Sequence, residues 1–121
     1  EKAPPEAWNE LIDLFGESMD GTLAKNDLDA YEEAIHLFRR ECIAAAQNEV
    51  LSDLLNSLYD RTQVLIRRLV LVPGRAQEGM RQHQEILAAM RAGKAAKAER
   101  LKRENIRSAR EWFHDYRKYL L

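Results

Sequence analysis

The 121 residues are enough for one domain, residues 1–121, built around a single hydrophobic core. The composition, 45% hydrophobic and 32% charged, favours a soluble helical protein over a sheet protein or a disordered tail. The 19 basic and 20 acidic residues leave a net charge of −1, so the chain lacks the overall basic bias that favours nucleic-acid binding.

Capping and helix-breaking residues divide the chain into five predicted helices. Pro4-Pro5 suits the first turn of a helix, and Gly93 suits a left-handed C-cap. Asn26-Asp27 and Asn48 suit N-caps. No segment alternates with a two-residue period, so we expect no β-sheet. The predicted helices run from Pro4 to about Gly21, from Leu28 to Ala46, from Asn48 to about Val70, between Gly74 and Gly93, and from Ala95 nearly to the end.

Each of the four long helices carries one apolar stripe at helical spacing. Short connections make consecutive helices antiparallel neighbours, so we expect an all-α antiparallel bundle of about five to six helices. The predicted core-facing stripe of the third helix consists of Leu51, Leu55, Leu58, Thr62, Leu65 and Leu69.

Four polar side chains fall on or beside these stripes. His83 and Asn105 are central on the fourth and fifth helices. Thr62 is central on the third, and Arg39 lies near the edge of the second stripe, beside Ile35. Singly, each has a structural explanation, such as a hydrogen-bonded core histidine or a threonine that bonds its own backbone. Converging in one bundle, an arginine, an imidazole and an amide suit a small carboxylate.

Two Glu-x-x-His motifs, Glu33 with His36 and Glu111 with His114, raise the possibility of a carboxylate di-iron enzyme. Their helical phase directs both motifs mostly away from the predicted core. The sequence has no glycine-rich phosphate loop, nucleophile elbow or metalloprotease motif. We therefore expect that the chain is not an enzyme.

Cys42 is the single cysteine, so it cannot form an internal disulfide or a cysteine-based zinc site. A lone thiol favours a reducing compartment, and we expect the protein to be cytoplasmic. No apolar run approaches the ~20 residues that span a membrane, and no signal peptide is visible, so we expect no membrane partner.

A series of short segments has the order and spacing of a known family: Asn26-Asp27, Ile35-His36-Leu37-Phe38-Arg39, Gln47-Asn48, His83 to Met90, Gly93-Lys94, Ala98 and Asn105. From about Trp8 to Tyr119 the chain resembles the FCD domain, the effector-binding C-terminal domain of FadR-type regulators in the GntR family. That family typically reads Gly-Asp, Asp-x-x-x-His and Gly-Asn, then His-x-x-Ile-x-x-Ala-Ile, Gly-Asp, an alanine and a second histidine.

The resemblance also implies a set of metal-binding positions. Many FCD domains hold a divalent metal through one aspartate and three histidines, and the corresponding residues here are Ile35, Arg39, His83 and Asn105. Only His83 keeps the family residue, since Ile35 has no lone pair and Arg39 places a positive charge where the cation would sit. We therefore expect that the metal is lost, that no cofactor is used, and that Arg39 replaces the metal's charge.

The leading hypothesis is a ligand-sensing and homodimerisation domain of a bacterial transcription regulator. Its effector would be a small organic acid held by Arg39 and His83, with Asn105 and Thr62 assisting and Ile35 alongside. Nothing in the chain corresponds to the family's N-terminal winged helix, through which any contact with DNA would be made. Two alternatives stay open: a metal-free pocket for an acyl-CoA-type ligand, and a ligand-free helical dimerisation module in which the polar residues bond one another.

Overall fold

The computed structural model of the protein describes residues 3–16, 19, 21, 23 and 27–120. These residues contain helices and no strand, so the predicted all-α bundle is confirmed. The first predicted helix is divided, because a 3-10 turn at Pro5–Trp8 precedes a helix that ends at Leu14. The helices are α1 (Asn9–Leu14), α2 (Leu28–Ala46), α3 (Glu49–Val70), α4 (Arg75–Arg91) and α5 (Ala95–Leu120).

Side-chain caps start the two helices for which they are predicted. Asp27 Oδ1 accepts a hydrogen bond from Ala30 N at 3.3 Å, and Asn48 Oδ1 accepts one from Leu51 N at 3.0 Å. Asn26, the other predicted cap residue at α2, lies outside the described residues. Each cap satisfies a backbone N–H that has no partner within its helix, so the helix begins after the capping residue. The predicted starts of α2 and α3 are therefore confirmed.

Left-handed residues end α2 and α4. Gly93 has a φ of 73°, and Lys94 N donates to Ala89 O at 2.9 Å, closing a Schellman-type end as predicted. Gln47 ends α2 with a φ of 51°, a conformation that glycine adopts more easily than any residue with a Cβ.

The core lies where α2 and α4 meet the N-terminal segment. Phe15 is fully buried and stacks on the His83 ring, with 5.2 Å between ring centres and 14° between planes. Phe38 meets the same imidazole edge-on at 4.9 Å. These aromatic contacts hold the His83 ring between two phenyl groups, so its position is set by packing.

The face that α3 turns to the bundle differs from the predicted one. Tyr59 and Ile66 are half-buried and Val70 is buried, so the inward face runs along these three residues. Thr62 is exposed, and its hydroxyl donates to the carbonyl oxygens of its own helix. The prediction was therefore wrong for three residues of the stripe, Leu51, Leu58 and Thr62, whereas Leu55 lies on the same side of the helix as Ile66.

The other side of α3 is exposed and apolar. Five large side chains there are 41% to 72% exposed. Helical spacing alone cannot tell a face that packs inside the domain from one that packs elsewhere, which is why the predicted stripe points outward. We call these residues the α3 apolar face: Val50, Leu51, Leu54, Leu58 and Val64.

Among the described helices, none combines the length and hydropathy that crossing a membrane requires.

Candidate functional site

A cavity of about 700 Å³ lies between α2, α3, α4 and α5. Three of the predicted site residues line it: Ile35 and Arg39 from α2, and His83 from α4. Most of the remaining wall is apolar and includes Phe38, Ile43, Leu55, Ile66, Ile86, Met90 and Ile106. A concave, largely apolar site with a few polar groups is the usual form of a small-molecule pocket.

His83 enters the cavity as a neutral imidazole. Its Nδ1 donates to Gly79 O at 2.7 Å, a bond within α4 that fixes the tautomer. Burial, and next the positive charge of Lys102, lower the pKa of His83 to about 3. At neutral pH, Nε2 therefore carries a lone pair, and no atom of the described residues bonds it. His83 can accept a hydrogen bond from a molecule in the cavity but cannot supply a positive charge.

Arg39 supplies positive charge on the α2 side. Its Nη2 donates to Asn56 Oδ1 at 2.7 Å, and its guanidinium carbon lies 3.9 Å from the centre of the Tyr59 ring. Both contacts come from α3, so they hold the guanidinium at the boundary between the two helices. A guanidinium has five N–H donors, and donors remain available for an anion in the cavity.

A second cation, Lys102 of α5, also lines the cavity. Its Nζ donates to Asn105 Oδ1 at 3.0 Å and lies 5.5 Å from the centre of the Phe38 ring. Burial lowers the pKa of Lys102, and within the described residues no carboxylate pairs with it. The cavity therefore contains an ammonium group whose charge is not balanced by the described part of the chain.

Asn105 is buried as predicted, but it is not among the residues that line the cavity. Its Nδ2 donates to Gln82 Oε1 at 2.6 Å, and its Oδ1 accepts from Lys102. Both ends of the amide are thus bonded to protein groups. Asn105 positions Lys102 at the cavity wall rather than reaching the cavity itself.

The helical fold agrees with one comparison to known proteins. The model of the FCD domain family matches residues 1–108. The chain belongs to the FCD family. FCD domains occur in GntR-family regulators as the effector-binding and oligomerisation domain. No curated protein and no solved structure matches the chain.

The four residues that the resemblance assigns to the family's metal positions do not fit a divalent metal in this FCD domain. Ile35 offers no donor atom, and the Arg39 guanidinium is a cation. The Asn105 oxygen already accepts from the Lys102 ammonium, which would repel a metal ion. One neutral imidazole, that of His83, is left as a donor, and a single nitrogen is a poor ligand set for a transition metal.

Thr62 and the two Glu-x-x-His motifs lie away from the cavity of this FCD domain. Thr62 is exposed on α3 and bonds only its own helix among the described residues. Glu33 and His114 are exposed, as their helical phase predicts. His36 is half-buried and contacts Glu32 and Tyr59. The motifs therefore do not converge on a common interior site.

Two residues that line the cavity were not among the predicted site residues. Lys102 falls about 60° from Asn105 around the helix, at the edge of the α5 stripe. Because it lies among several other basic residues, the sequence pattern favours a solvent-exposed helix face instead. Cys42 lines the cavity, and burial raises the pKa of its thiol to about 11. At neutral pH that thiol is protonated, so Cys42 forms part of the apolar wall.

Proposed function

We propose that this FCD domain senses a small organic acid, which it binds in the cavity between α2, α3, α4 and α5. The observation that carries the proposal is the pairing of a cationic Arg39 with a neutral His83 on the wall of one large, mainly apolar cavity. Arg39 binds the effector's carboxylate, bidentately where the geometry allows. His83 accepts a hydrogen bond at Nε2 from a hydroxyl or N–H group of the same molecule, and Ile35 forms part of the apolar wall.

We also propose that the family's metal is lost and that the Arg39 charge takes its place. The support is the donor set itself, with an isoleucine and an arginine at two former ligand positions. Metal analysis of protein purified without chelator is the test, and we expect well below one metal ion per chain. Near-stoichiometric zinc, nickel or manganese that disappears in a His83→Ala variant would contradict this part of the proposal.

The role of Arg39 can be measured directly. We expect Arg39→Ala to weaken binding of an acidic effector at least tenfold, which corresponds to about 1.4 kcal/mol. Arg40→Ala is the matched control, because Arg40 is the next residue of α2 and is exposed. Isothermal titration calorimetry on both variants gives the dissociation constants. An unchanged dissociation constant in Arg39→Ala would remove Arg39 from the site.

The domain is further proposed to form a homodimer through the α3 apolar face. Contiguous exposed apolar patches are uncommon on monomeric proteins and often mark association surfaces. Light scattering should give twice the chain mass of 14.0 kDa for the wild type and a single chain mass for Leu54→Glu. Leu71→Glu is the control, because Leu71 is equally exposed but lies beyond α3. A monomeric wild type, or a dimeric Leu54→Glu, contradicts this interface.

In the regulator as a whole, effector binding is proposed to change how a winged-helix domain outside this chain binds DNA. Physically this requires that the effector bind one arrangement of the dimer more tightly than another. The measurement is DNA affinity of the full regulator with and without the effector, for the wild type and Arg39→Ala. An effector that binds the wild type without changing its DNA affinity would contradict the regulatory role.

One observation favours a second candidate, the ligand-free dimerisation module. Asn105 and Lys102 bond each other, and the His83 ring bonds Gly79, so part of the polar set is satisfied internally. For that module, no carboxylate or acyl-CoA raises the melting temperature. Thermal-shift screening separates the candidates, because only a ligand that binds the folded state raises its melting temperature.

A further inference from the structure

Lys102 of the cavity, like Arg39, has no carboxylate partner among the described residues. Its Nζ has one hydrogen-bond acceptor, the neutral amide oxygen of Asn105, and the Phe38 ring face lies nearby. Glu99 also lines the cavity, but its carboxylate pairs with Arg103 at 2.8 Å, and both of these side chains are largely exposed. An ammonium ion held against apolar groups is costly unless an anion compensates it.

Two cations therefore line the same cavity from different helices. Arg39 projects from α2 and is braced by α3, whereas Lys102 projects from α5. His83 also lines the cavity, but its imidazole is neutral and adds no positive charge. The cavity therefore offers cations to an anionic group of a ligand, and most of the rest of its lining is apolar.

The size and chemistry of that wall limit what can fill the cavity. A volume of about 700 Å³ lies in the range, roughly 300–1,000 Å³, of sites that bury drug-sized ligands. A short polyacid would leave most of the apolar wall uncovered. An apolar chain or ring would cover the surface of Phe38, Ile43, Ile86 and Met90 instead.

We infer that the effector is a carboxylic acid with an apolar body, an aliphatic chain or an aromatic ring, whose carboxylate binds in the cavity that Arg39 and Lys102 line. This inference rests on the proposed function and names the class of acid that the site takes. Lys102 contacts the ligand, and Asn105 acts through Lys102 as a positioning residue.

A homologous series of straight-chain acids tests the apolar part. Calorimetric titration of the wild-type domain near neutral pH would use acetate, butanoate, hexanoate and octanoate, with succinate and citrate as short polyacids. We expect affinity to rise about fourfold per added methylene, the factor that corresponds to ~0.8 kcal/mol per buried CH₂. Octan-1-ol tests the charge, since it has the same chain without the carboxylate, and should bind at least tenfold more weakly than octanoate.

Variants of α5 test the anchor. Lys102→Met keeps a long unbranched side chain and removes the charge, and it should weaken octanoate binding at least tenfold. Lys97→Met is the matched control on the exposed side of the same helix and should bind within twofold of the wild type. The melting temperature of ligand-free Lys102→Met should equal or exceed that of the wild type, because an uncompensated half-buried charge is removed.

The outcomes separate the inference from the proposed function. If acetate, succinate or citrate binds as tightly as octanoate and depends on Arg39, the apolar-acid inference fails and the proposed function stands. If octan-1-ol matches octanoate, or if a folded Lys102→Met binds octanoate as the wild type does, the two-cation anchor fails. If no acid of either kind binds, the proposed function fails as well.

Discussion

Acidification is expected to destabilise this FCD domain through His83. The imidazole lies between the Phe15 and Phe38 rings, donates from Nδ1 to Gly79, and shares its cavity with Lys102. Protonating Nε2 would place a further cation beside Lys102 in this apolar setting. Burial and the Lys102 charge accordingly lower the pKa of His83 from 6.5 to about 3 in the folded protein.

The sign and size of the effect follow from the two pKa values of His83. Between pH 3 and 6.5 the unfolded chain binds a proton at His83 and the folded chain does not, so the free energy of unfolding falls as the pH falls. The contribution is fully present above pH 6.5. Going from pH 7 to pH 5 removes about 2 kcal/mol, at a limiting slope of ~1.4 kcal/mol per pH unit, for any folded-state pKa below about 4.

Two assays check the His83 prediction. Urea unfolding at pH 7 and pH 5 should give a smaller loss of stability in His83→Phe, whose ring suits the gap between Phe15 and Phe38, than in the wild type. His114→Gln is the control, because His114 is exposed and should leave the loss unchanged. Nitrogen-15 NMR of the histidine rings should find His83 as the Nδ1–H tautomer, with no titration above pH 5. A midpoint near 6.5 for His83, or an unaltered pH dependence in His83→Phe, would refute the reasoning.

Two predictions concern backbone positions. Gly79→Ala should lower the free energy of unfolding, because a Cβ at this position would clash with the hydroxyl of the buried Tyr31. Overpacking a core costs about 1–3 kcal/mol, whereas the higher helix propensity of alanine contributes only ~1 kcal/mol. In a Tyr31→Phe background, which lacks the hydroxyl, Gly79→Ala should lower the free energy of unfolding by less. Thermal unfolding of the double-mutant cycle measures the difference, and an equal loss of stability in both backgrounds would contradict the clash. Gln47→Gly should raise the free energy of unfolding by roughly 0.5–1 kcal/mol, because the backbone of this exposed residue is in the left-handed region, where a Cβ is unfavourable. Chemical denaturation measures that change, and a loss of stability would contradict it.

Much of the fold followed from local chemistry that the sequence states directly. Asp27 and Asn48 provide N-caps, and Gly93 provides a left-handed end, so the starts of α2 and α3 and the end of α4 could be predicted. The burial of His83 and Asn105 also followed, because each lies in the middle of a helix's apolar stripe. These features depend on a few neighbouring residues, which is why the sequence alone determines them.

The tertiary structure decided which face of α3 is internal and which side chains share the cavity. Apolar residues lie on two sides of α3, and the side that the sequence predicted to face the core is largely exposed, which excludes Thr62 from the interior. Lys102 looked like one more basic residue until packing placed it in the cavity, and Asn105 was bonded by partners from two helices. A helical period gives the order of residues around the axis of one helix. The rotation of the helix about that axis, and the partners of each polar group, depend on contacts between distant parts of the chain.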